Sequence, residues 1–85
     1  MDVELGRNAG RRAYVGSARR DDGSLVTVMV TDTAWMAGQQ GPAPCDHPAV
    51  VKAAWLAATE EPFLATLVDG YRLANAHHLR EALAE

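Results

Sequence analysis

The chain has 85 residues, a length that suits one domain, with a net charge of −3 and a 48% hydrophobic fraction that owes much to alanine. One cysteine excludes an internal disulfide, and no apolar run approaches the ~20 residues a membrane span needs. The charge is uneven: residues 1–20 set five arginines against Asp2 and Glu4, while Lys52, Arg72 and Arg80 face nine acids in the remainder.

A domain of this size buries only about 60% of its unfolded surface. Large apolar side chains are few and alanine buries little area, so self-association or a partner is the expected source of extra stability. The segment Met-Asp-Val-Glu-Leu-Gly-Arg carries no hydrophobic stretch, which reads against a signal peptide and for a cytoplasmic location. A lone Cys45 agrees. Arginine far outnumbers lysine, as in GC-rich coding sequences, which fits a bacterial or phage accessory protein.

Residues 1–10 hold Gly6, Asn8 and Gly10 without periodicity and read as a mobile arm, with Val3 and Leu5 as the alternative of an edge strand. From residue 11 onwards a single small α+β domain is expected. Ala13, Val15 and Ser17 alternate with Arg12, Tyr14 and Gly16, which predicts a strand, and Gly16 marks a weak point or bulge. Asp21-Asp22-Gly23-Ser24 is a turn signal. Leu25–Thr31 is the clearest strand, rich in β-branched residues. Its valines, Val26, Val28 and Val30, share the face expected to be buried. Leu25 and Met29 share the other face, which is too apolar to be left wholly to water.

Thr33 to Ala37 fits one helical turn, and Gly38 to Pro44 is loop by its glycine and proline content, with Trp35 and Met36 as anchors at its entrance. Asp46 and Pro48 predict a helix start. Val51, Trp55 and Ala58 then form a stripe, flanked by Val50, Ala54 and Ala57. Thr59-Glu60-Glu61-Pro62 reads as a second start. Leu64, Val68, Tyr71, Asn75, Leu79 and Ala82 follow near helical spacing, which favours one long helix interrupted at Asp69-Gly70. The alternative is a hairpin, Phe63–Val68 and Tyr71–Ala74 around an Asp-Gly turn.

The segment Val68 to Ala74 is similar to the Asp-Gly-x-x-Arg segment of ParB-like and sulfiredoxin-like folds, which joins a strand to a helix and contacts phosphate. Here Arg72 comes one residue too early, and seven residues do not place the chain in either family. Cys45, His47, His77 and His78 are the candidate metal ligands, but their spacing matches no common zinc motif. Adjacent helical histidines are expected to diverge by about 100°, which disfavours a shared ion. Cys45 beside a helix start is the candidate nucleophile, with His47 or His78 as its base, and no carboxylate pair is recognisable as acid and base. Phosphate binding requires a basic stripe on the reading element, and only the hairpin arginines supply one.

The sequence therefore predicts an N-terminal antiparallel β-hairpin packed on two C-terminal helices, or ββαββα if residues 63–74 form a second hairpin. It predicts a non-enzymatic protein-interaction module, an accessory, inhibitor or assembly factor, that binds a protein partner or itself. The expected contact residues are Leu25, Met29, Trp35, Met36, Arg19 and Arg20. No catalytic residue, metal or cofactor is assigned and no membrane contact is expected. Nucleic-acid binding through the arginines is the alternative, followed by a small enzyme or metal protein around Cys45 and the histidines.

Overall fold

The computed structural model describes residues 2–33 and 47–84. Trp35, Met36, Cys45, Asp46 and the loop at 38–45 lie outside the described residues. The fold is mixed α+β. Three strands, β1 (Asp2–Asn8), β2 (Ala13–Arg19) and β3 (Leu25–Thr31), form an antiparallel meander. Helix α1 (Pro48–Thr59) leads through a 3₁₀ turn at Pro62–Leu64 to a hairpin, β4 (Leu67–Val68) and β5 (Tyr71–Ala74), and to helix α2 (Ala76–Leu83). The five strands make one sheet in the order β1-β2-β3-β5-β4, in which β5 lies parallel to β3. A parallel neighbour needs a crossover, and α1 supplies it. Among the described residues no helix is long and apolar enough to cross a membrane.

Two expectations give way. Asp2–Asn8 is paired with β2 along its whole length instead of forming an arm, so the edge-strand alternative for Val3 and Leu5 is the one realised. Both side chains are half-buried against the core. The long helix over 62–84 does not form. Asp69 and Gly70 take φ of 52° and 84°, the two left-handed residues of a type I′ turn, so the Asp-Gly pair closes a hairpin as in the ββαββα alternative. That hairpin is shorter than expected, because Phe63 and Leu64 belong to the 3₁₀ turn.

The turn at residues 21–24 forms as expected. Gly23 has φ of 88°, and Asp22 Oδ1 accepts from both the Ser24 amide and its hydroxyl. Gly16 makes no bulge, since the register runs through it without a break. A Cβ there would overlap the Glu4 carbonyl, so glycine is what lets β1 close on β2. On the valine face of β3, Val28 and Val30 are enclosed as expected, and Met29 on the opposite face is buried as well.

Helix α1 is the centre of the packing, touching β1, β2, β3, β5 and α2. His47 caps its start, with Nδ1 accepting from the Ala49 amide at 3.1 Å. The buried face is Ala49, Val50, Ala53, Ala54, Ala57 and Ala58. Val51 and Trp55, expected at the centre of the stripe, sit half-buried at its margin. Among the described residues the core is thus mostly alanine, with Val28, Val30, Val50 and Leu79 as its largest fully buried side chains.

Candidate functional site

Several large apolar side chains among the described residues stand on the surface. Phe63 is 82% exposed and Leu67 67% exposed, with Leu64 and Val68 exposed beside them. They come from one uncharged stretch, Pro62 to Val68, bounded by Glu61 and Asp69. That stretch leads into and forms β4, the outermost strand. The opposite edge differs. There β1 carries Asp2, Glu4 and Arg7, charges of the kind that keep an open edge from pairing with other chains. Asp69 is engaged by Arg11 at 2.7 Å, so its charge is partly answered within the chain.

Of the expected contact residues, Arg19 and Leu25 are cross-strand partners, and Trp35 and Met36 lie outside the described residues. Leu25 is 62% exposed at the start of β3, whereas Met29 is only 4% exposed and offers no surface in this chain. Arg19 and Arg20 line an open groove of about 580 Å³ with Asp2, Asp21 and Trp55. Arg19 Nε lies 3.3 Å from Asp2 and its Nη1 donates to the Gly23 carbonyl. Arg20 Nε is buried without a hydrogen-bond partner. Two acids beside two arginines leave little net attraction for a phosphate.

The other N-terminal arginines are also engaged. Arg7 makes a two-pronged ion pair with Asp32 at 2.7 and 2.8 Å and stacks over Tyr14, and Arg11 stacks over Tyr71. Arg72 has a structural task. Its Nη1 donates to the carbonyls of Ala57, Ala58 and Glu60 at 3.3, 3.1 and 2.9 Å, closing the C-terminal end of α1 with a positive charge. The phosphate role implied by the Asp-Gly-x-x-Arg likeness is therefore not the one the geometry gives Arg72.

Sequence spacing missed one cluster. His78 is 2% exposed, and its ring lies beside that of His77, with centroids 3.9 Å apart. Both Nε2 atoms approach Glu60 Oε2, at 2.8 Å from His78 and 3.6 Å from His77. The expected divergence of the two rings is thus not observed. The three potential ligand atoms lie within 4.8 Å of one another. The hydrogen bonding nevertheless suits a proton better than a metal. The Asn75 amide donates to His78 Nδ1 at 2.9 Å, so in the neutral ring the proton belongs on Nε2, where it is given to Glu60. A metal at Nε2 would have to displace that proton while Nδ1 still faced an N–H. Tetrahedral ligation would also require the stacked rings to splay. The missed signal was Glu60, which the sequence presents as a helix-start residue and which in fact closes α1.

The chain matches no family model, and no curated protein or solved structure is significantly similar to it.

Proposed function

We propose that this chain is a small non-enzymatic protein-interaction module, an accessory, inhibitor or assembly factor, acting in the cytoplasm through the apolar edge formed by Phe63, Leu64, Leu67 and Val68. One observation supports the reading: Phe63, Leu64, Leu67 and Val68 stand exposed, while among the described residues the core is mostly alanine. A contiguous exposed apolar patch marks a contact surface, and covering it adds the burial that so small a core lacks. The nucleic-acid alternative is weakened by the ion pairs that occupy Arg7, Arg11 and Arg19.

Site-specific photocrosslinking in the native host tests the reading. A photoreactive phenylalanine at position 63 is expected to trap protein adducts, including copies of the chain itself. The same group at Glu81, an exposed position on α2, serves as the control. Equal, background-level trapping at both positions would remove the apolar edge as the contact surface.

A further inference from the structure

The outer edge of β4, unpaired among the described residues, has a specific backbone polarity. Leu73 N donates to Thr66 O at 2.8 Å, and Leu67 and Val68 pair with Arg72 and Tyr71. In an antiparallel ladder, hydrogen-bonded and non-hydrogen-bonded pairs alternate. Leu67 therefore belongs to the non-bonded pair with Arg72, and its own N–H and C=O are turned away from β5 to the open side. A strand arriving there meets one donor and one acceptor on the same residue, beneath an exposed leucine side chain.

We propose that this edge pairs with the same edge of a second copy of the chain, antiparallel and with the two-fold axis at Leu67. This rests on the interaction reading above and names its occupant. In that register each Leu67 exchanges both backbone hydrogen bonds with Leu67 of the second copy. Thr66 then faces Val68, and Ala65 faces Asp69. No two like charges stand opposite one another, so the edge is self-complementary. Two five-stranded sheets become one continuous sheet of ten.

Phe63, Leu64, Leu67 and Val68 leave on the order of 500 Å² uncovered per chain, so a two-fold pairing buries at most roughly 1,000 Å², the lower limit for a biological interface. The contact is a modest one, of the kind that forms and separates with concentration.

Sedimentation equilibrium of the purified full chain at micromolar to submillimolar concentration tests the pairing, with Leu67→Asp as the variant. The wild type is expected to be a reversible dimer. The variant is expected to associate about a hundredfold more weakly, as for loss of a central contact, with unchanged far-UV circular dichroism. Amide hydrogen exchange on the wild type is independent of the variant's folding: protection of the Leu67 amide should rise with protein concentration. A dimer that Leu67→Asp leaves intact, or a Leu67 amide unaffected by concentration, overturns the proposal. A wild-type monomer that binds a hydrophobic dye, with binding lost in Leu67→Asp, also overturns it but leaves the edge open to a different protein. A monomer with no dye binding removes both the pairing and the interaction reading.

Discussion

His78 Nε2 donates to the Glu60 carboxylate at 2.8 Å, tying the residue that ends α1 to the first turn of α2. Burial opposes the charge on Glu60, but hydrogen bonds and positive potential from His78 and His77 outweigh it and hold its carboxyl below the ordinary value. Below that ordinary value, about 4.3, the unfolded chain takes up a proton that folded Glu60 still refuses. The stabilisation is thus complete above about pH 4.3 and is lost as pH falls through the folded value. Glu60→Gln keeps an acceptor for His78 but removes the charge, and is expected to cost about 1–2 kcal/mol near neutral pH. Urea unfolding at neutral pH and near pH ~3 should show the gap between wild type and variant closing in acid. A gap of equal size at both would mean the charge contributes nothing.

Zinc should not stabilise the fold. If His78 keeps its proton on Nε2, stoichiometric Zn²⁺ leaves the thermal midpoint unchanged. A saturable rise that disappears in His77→Ala would show that the rings can reorganise around an ion.

Arg72→Lys is expected to loosen the end of α1. An ammonium is a compact point charge, whereas the guanidinium of Arg72 reaches three carbonyls from the neighbouring strand. The expected loss is about 1–2 kcal/mol by chemical denaturation, with faster amide exchange over the last turn of the helix. Wild-type stability in the lysine variant would assign the cap to water.

Gly16→Ala should destabilise the chain by about 1–3 kcal/mol, because the added methyl must push β1 away from β2. Exchange protection in residues 3–7 is the sensitive readout. Faster exchange confined to that strand is the expected pattern, and unchanged protection would show that β1 absorbs the methyl without moving.

Replacing Arg19 and Arg20 together with Ala should leave self-association and its salt dependence unchanged if the apolar edge carries recognition. It should also cost little stability. A large loss of binding at low salt would return the arginines to the centre of the function.

Local chemistry explains which parts of the fold were legible in the sequence. Asp22-Gly23 and the alternating valines of β3 act through neighbouring residues, and the turn and the strand appear where the sequence places them. Asp69-Gly70 carried the same turn signal, but Leu64, Val68, Tyr71 and Asn75 happen to repeat at helical spacing. The backbone followed the glycine. β1 was obscured because the role of Gly16 is fulfilled across the sheet, against Glu4. The exposed edge was hidden for a related reason: Leu67 lies beside the apparent helical stripe, and its exposure follows only once β4 proves to be the outermost strand. The Glu60–His78 contact joins residues eighteen apart, and nothing in either neighbourhood announces it.

The central place of α1 also governs how the chain comes into being. During synthesis the three-strand meander emerges before the helix that covers it. For that interval Val26, Val28 and Val30 form a bare β-branched strip, the kind of segment that recruits neighbouring nascent chains. The parallel pairing of β3 with β5 must also wait for the crossover, which makes it a late, long-range event. Rapid emergence of residues 48–59 therefore protects the nascent protein from aggregation, and a ribosomal pause just before them would prolong its most vulnerable moment.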